Sequence, residues 1–170
     1  RHKSLMAAMT WSHSLLKEPE RKVFRALSVF NGSFSLEAAL AVAGAGEAES
    51  LSELVRQSLV VKDGNNKALY RLLETSRHFA RDQLLSHKEV AEARRRHAAY
   101  FTTLFKASLD AWEDLTDRQW LDVYRSETDN LRAALDWLQE QALWQDYADL
   151  CAASYRLWLE TGLYREGMSH

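Results

Sequence analysis

Apolar residues recur at helical spacing from the start of the chain. Leu5, Met9, Ser12 or His13, and Leu16, with Trp11 close by, predict a helix over 4–16. Pro19 stands where a first helical residue would, followed by Glu20. Val23, Phe24, Leu27 and Phe30 then give one apolar face of a second helix, stopped by Asn31-Gly32. Residues 33–36 form a short apolar stretch with two readings. It is one strand, or Ser35 caps a helix carrying Leu36, Ala39, Leu40 and Val42, which Gly44-Ala45-Gly46 ends. Ser50 and Glu53 make a Ser-x-x-Glu capping box that opens a helix through Leu51, Leu54 and Val55.

The pattern then changes period. Leu59-Val60-Val61 and Ala68-Leu69-Tyr70-Arg71-Leu72 are β-rich runs, and Asp63-Gly64-Asn65-Asn66 between them is turn chemistry. A helix from about Leu73, with Phe79, Gln83 and Leu84 or Leu85 near one face, follows this hairpin. Three helices and then a two-stranded ribbon is the chain order of a winged helix. From Ser86 onward every signal is helical. Ser86 with Glu89 and Thr116 with Gln119 read as capping boxes. Val90, His97 or Ala98, Phe101, Leu104, Phe105, Leu109 and Trp112 line one long helix; Trp120, Tyr124, Leu131, Leu135 and Leu138 continue the pattern. Residues 126–130 interrupt it as a turn or a joint, and a last helix over 144–161 is closed by Gly162. Short connections make neighbouring helices antiparallel, and stacked pairs of this kind build helical repeats. The expected fold is mostly α: a winged-helix-like domain over 1–85 with a small β-hairpin, then antiparallel TPR-like helices over 86–170.

Composition narrows the class. Hydrophobic residues are 46% and charged residues 27% of the 170 residues, an ordinary globular balance. Six Gly and one Pro leave few breakers, which favours helices. The formal net charge of −2 supplies no global basic field for nucleic acid. Cys151 is the single cysteine, so no internal disulfide or thiolate metal cluster can form, as suits a reducing, cytoplasmic setting. No run of about 18 apolar residues suggests a membrane span. The chain begins at Arg1 without Met and stops at His170 just after a helix opens, so it reads as part of a longer protein.

The search for chemistry finds no P-loop, no glycine-rich dinucleotide turn, no His-Glu-x-x-His and no nucleophile elbow. The six histidines are scattered without metal-ligand spacing. The expectation is therefore no catalytic residue, no metal and no cofactor held by these residues. Arg94-Arg95-Arg96 is the densest basic cluster; consecutive helical positions fan around the axis, so it reads as a solvated face or a contact to an anion or an acidic neighbouring domain. The tryptophans at helical spacing read as core.

In a DNA-reading winged helix, the helix ahead of the wing carries Arg, Lys, Asn or Gln to base edges. Here that helix, 51–58, carries Glu53, Arg56 and Gln57 and is preceded by Glu47 and Glu49; the wing offers Lys62 and Lys67 against Asp63. An acidic reading helix faces repulsion from phosphate, so the sequence favours a protein-contacting winged helix over direct DNA binding.

Several strings resemble bacterial STAND-type regulators, signal-transduction ATPases with an NB-ARC-like nucleotide-binding core. They are 1–5, Trp11-Ser12, Leu15-Leu16 and the run from Leu27 to Phe34. The series continues with Leu59-Val60-Val61, Tyr70-Arg71-Leu72-Leu73-Glu74-Thr75 with Arg77 and Phe79-Ala80, the run from Arg95 to Phe101, and the run from Asp129 to Leu135. The resemblance covers nearly the whole chain. It implies a parent with an upstream P-loop ATPase domain that binds ATP and ADP, for which this segment supplies the winged-helix part and the start of a TPR-like array continued by downstream repeats. The implied role is a non-catalytic, intramolecular switch segment of a transcriptional regulator. In eukaryotic relatives the positions of Leu72-Leu73-Glu74 read Met-His-Asp, and the His contacts nucleotide; Leu73 stands at that position and cannot donate the bond.

Candidate contacts to the nucleotide module are therefore Arg1 and His2, near the expected junction, and Glu74 with Arg77, which pair locally or reach that module. A homodimer through the helical C-terminal half is a further expectation, since a truncated stack leaves an apolar end face. Two other readings stand beside this one: a DNA-binding winged-helix transcription factor, and a helical protein–protein scaffold.

Overall fold

A computed structural model describes residues 2–44, 47–64 and 68–168, except the side chains of 2–6, 8, 164 and 166. The chain is mostly helical and divides into two compact units, 1–96 and 97–170. The expected boundary at 85/86 falls at the end of a helix, and residues 86–96 pack with the first unit.

The first unit begins with α1 (His2–Ser14) and α2 (Glu18–Ala26), the latter running into a 3-10 turn, Leu27–Val29. Helices α3 (Leu36–Ala43) and α4 (Ala48–Arg56) follow, then strands β1 (Val60–Lys62) and β2 (Tyr70–Leu72), then α5 (Glu74–Ser86). The two strands pair antiparallel with Val60 opposite Leu72 and Lys62 opposite Tyr70. Both readings of 33–36 hold at once. Phe34 bridges Tyr70 through two 2.8 Å backbone bonds, and Ser35 caps α3 by accepting the Ala38 N–H. The core of this unit is Val23, Phe24, Leu27, Phe30, Phe34, Leu54, Val60 and Leu84, each almost without solvent exposure. Stacked Phe30 and Phe34, 4.5 Å between centroids, tie the end of α2 to the ribbon.

Two expected capping boxes take other roles. Helix α4 opens at Ala48, one turn earlier than expected, and Ser50 instead donates to the Glu47 carboxylate at 2.8 Å. Ser86 donates back to the Gln83 carbonyl at the end of α5, and Glu89 turns away to meet Arg25. The turn between them requires Lys88 at φ +59°.

Helix α6 (Val90–Ala111) is continuous through residues of both units. In the second unit, α7 (Asp117–Tyr124) opens with the expected Thr116–Gln119 box, intact on both sides. A 3-10 turn, Arg125–Glu127, joins it to α8 (Thr128–Glu140), which packs on α9 (Trp144–Glu160), followed by α10 (Tyr164–Gly167). Gly162, at φ +73°, closes α9 as expected. Phe101, Phe105, Trp120, Leu131, Leu135, Leu150 and Leu157 form the buried centre. Trp120, Trp137 and Trp158 lie in the core, whereas Trp144 at the first position of α9 is exposed. Among the described residues, no helix is long and apolar enough to cross a membrane.

Candidate functional site

Two surfaces of the first unit carry the polar chemistry. The first is the outward side of α4. Ser50, Leu51 and Leu54 anchor it in the core, which leaves Glu49, Ser52 and Arg56 exposed, with Glu47, Glu53 and Gln57 part-exposed beside them. One carboxylate organises this face: Glu53 accepts Arg56 Nη2 at 2.5 Å and Gln57 Nε2 at 2.9 Å. The Arg56 guanidinium and then the Gln57 amide hold the Glu53 carboxyl below its ordinary range. The two side chains best suited to read base edges are thus both on the same acid. Over 47–57 there are three Glu and one Arg, a local charge of −2. An exposed pair four residues or fewer apart is weak and can open. The uncompensated carboxylates are the larger obstacle to a phosphate surface.

The second surface is a cleft of about 540 Å³ where the 30–33 loop, the ribbon and the start of α5 converge. Asn31, Ser33, Asp63, Arg71, Glu74 and Arg77 supply its polar lining. Arg77 donates through Nη1 to Asn31 Oδ1 at 3.0 Å and through Nη2 to Glu74 Oε1 at 3.4 Å. Glu74 Oε1 also meets His78 Nε2 at 3.1 Å, and these partners, His78 first, keep the Glu74 carboxyl low. Ser33 donates a short bond to Asp63 across the loops. Leu73, the N-cap of α5, is substantially exposed at the rim and makes no side-chain capping bond. The open first turn of α5 leaves backbone N–H groups directed out of the helix end.

Sequence reading brought Glu74 and Arg77 together, and the structure places them in one cleft. It missed Asn31, Ser33 and Asp63. Asn31-Gly32 and Asp63-Gly64 carried only a turn signal, and a turn signal does not say that two loops 30 residues apart converge. Arg1 and the side chain of His2 lie outside the described residues, as does Lys67 of the wing. Of Arg94, Arg95 and Arg96, Arg95 is exposed and the other two are half-buried. Arg95 and Arg96 both grip Glu92, at 2.9 and 2.7 Å, and hold its carboxyl down at about 2. Among the described residues, no group of three or more His, Cys, Asp or Glu could hold a metal ion.

Residues 16–85, which run α2, Phe34 bridge, α3, α4, β1, β2, α5, match the winged helix-turn-helix domain family. These residues form a winged helix-turn-helix domain. In it, α3 and α4 are the helix-turn-helix pair, α4 is the helix ahead of the wing, and α1 precedes the matched domain. Two mycobacterial proteins, from Mycobacterium tuberculosis and Mycobacterium bovis, carry the name "Putative HTH-type transcriptional regulator" and are each 36% identical over 176 residues, covering 99% of this chain. An uncharacterized Mycobacterium tuberculosis protein is 39% identical over 90 residues, 48% of this chain and 23% of its own length. The chain spans about a fifth of the length of the named regulators it matches. No solved structure gives a significant match.

Proposed function

We propose that this chain is a non-catalytic regulatory segment of a cytoplasmic transcriptional regulator, and that its winged helix works against other parts of its own polypeptide rather than as the DNA reader. The observation that carries the reading is α4. Its Arg56 and Gln57 are both held by Glu53, and the surface around them is net acidic. A face of that sign suits a basic protein surface better than a duplex.

The resemblance to STAND-type ATPases supplies the mechanism we favour. A nucleotide-binding module, with ATP or ADP, would change its contacts with the winged helix, and the helices of 86–170 would begin a repeat array. The Asn31–Arg77–Glu74 cleft is where that module would be felt. Leu73 cannot donate a hydrogen bond there, so Arg77, Arg71 and the open end of α5 would carry the contact. The test is charge reversal, Arg77→Glu, in the full-length regulator. Lost nucleotide retention or altered transcriptional output supports the role. Unchanged retention and unchanged output reject it.

A second reading has its own support. The winged helix-turn-helix match and the names of the mycobacterial relatives favour DNA contact. In that case Lys62 and Arg71, both exposed on the ribbon, would carry it in place of α4.

A further inference from the structure

Helix α1 lies outside the matched winged domain, which begins at residue 16, and its described residues make specific contacts with that domain. Its last turn is tied down from α2 and α5. Arg21 of α2 caps α1 by donating Nε to the His13 carbonyl at 3.3 Å and Nη2 to the Ser14 carbonyl at 3.0 Å. These are two of the four orphan carbonyls at a helix C-terminus. The His13 ring sits in an aromatic slot, edge-on to Phe79 at 5.2 Å and tilted against Phe24 at 6.1 Å. One turn earlier, the Ser76 hydroxyl of α5 meets the Met9 sulfur at 3.9 Å, a weak contact.

What opposes a cation here is burial and the guanidinium groups beside the ring, not the aromatic walls themselves. Four charged or titratable groups act on His13 from the elements around it. Arg21, Arg25 and Glu18 belong to α2, and His87 stands at the end of α5. Three of the four disfavour a second positive charge. Glu18, the one carboxylate, is already engaged by Arg25 at 3.0 Å. Arg25 cannot swing away, because Glu89 holds it on the other side at 2.6 Å. Arg21 is fixed by the same two bonds that cap α1. Burial, then Arg21 and Arg25, push the His13 imidazole below its ordinary value of 6.5.

We infer that α1 is an acid-weakened arm: protonation of His13 in its aromatic slot, against two fixed guanidinium groups, loosens α1 while the winged domain stays folded. The sign follows from linkage. A histidine held low in the docked state and near 6.5 when released favours docking above 6.5 and loses that contribution as the pH falls below it. At one pH unit below the free value, this single proton can weaken docking by at most about tenfold.

Hydrogen–deuterium exchange on the whole chain at pH 7.5 and 5.5, corrected for intrinsic exchange, tests it. Amides in the second half of α1 are expected to lose protection towards that tenfold ceiling at the lower pH, while α2 to α5 hold theirs. His13→Gln, which never takes the proton, is expected to abolish the pH difference; His87→Gln is expected to keep it. Equal α1 protection at both pH values, the same loss in His13→Gln, or its disappearance in His87→Gln would each overturn the inference. Should His13→Gln fail to fold, an NMR titration of the unaltered chain decides. The His13 ring must titrate below 6.5 with α1 amide shifts following the same midpoint, and a midpoint at or above 6.5 overturns the inference.

Discussion

Arg25 on α2 and Glu89, the residue just ahead of α6, meet two-handed: Nε to Oε2 at 2.6 Å and Nη2 to Oε1 at 3.0 Å. The guanidinium is almost wholly buried, while about a third of the Glu89 side chain stays wet. Breaking such a pair leaves a buried cation with the mostly exposed Glu18 as its remaining carboxylate. Glu89→Ala is therefore expected to cost about 2–3 kcal/mol, the usual penalty for a buried pair discounted for the wet acid. Glu18→Ala removes the other, mostly exposed partner and is expected to cost much less. Urea denaturation of the two variants checks the order. The pair also sets a pH dependence. Arg25 holds the Glu89 carboxyl low, so its contribution is complete above the ordinary value of 4.5 and is lost as the pH falls through the depressed one.

Trp120 in the second unit has no solvent exposure and donates its indole N–H to the Ser108 carbonyl at 2.9 Å. Trp120→Phe removes volume and the indole bond to that carbonyl. The two losses together are expected to cost about 2–4 kcal/mol. Denaturant titration read by near-UV circular dichroism measures it. A variant within about 0.5 kcal/mol of the parent would contradict the packing described.

Glu127 in the 3-10 turn before α8 behaves in the opposite sense from Glu89. Burial raises its carboxyl above the ordinary range, against a bond from Asn130 Nδ2 at 3.3 Å that lowers it. The folded state thus binds its proton more readily than the unfolded one, and stability rises as the pH falls from neutral towards 4.5. Glu127→Gln is expected to raise the thermal midpoint at pH 7 and to flatten that rise. Calorimetry at pH 7 and 5 on both proteins checks it.

The close crossing of α10 on α9 depends on Gly167. A Cβ there would stand 2.7 Å from Trp158 Cβ and Cγ. Gly167→Ala is expected to cost about 1–3 kcal/mol locally and to lift α10 rather than unfold the unit. Limited proteolysis after Arg165, faster in the variant, reports it.

How far the sequence carried depends on which signals are local. The period change at 59–72 and the Thr116–Gln119 box are local, and both elements stand where they were read. The Ser50 and Ser86 boxes failed because neither residue immediately precedes a helix: Ser50 lies in the first turn of α4 and donates to the Glu47 carboxylate, and Ser86 is the last residue of α5 and donates to the Gln83 carbonyl. The acidic sign of α4 was legible in Glu47, Glu49 and Glu53. The way Glu53 gathers Arg56 and Gln57 needed helix geometry, and the contact of Asn31 with Arg77 needed the tertiary fold. No spacing rule links residues 46 apart.

In the proposed role α4 is not a reading helix. Fluorescence anisotropy of a labelled random-sequence duplex titrated with this chain, from about 20 to 200 mM salt, tests it most directly. No binding with a steep salt slope is expected, and no change on Arg56→Ala. Sub-micromolar binding that falls steeply with salt and is lost in Arg56→Ala would contradict it.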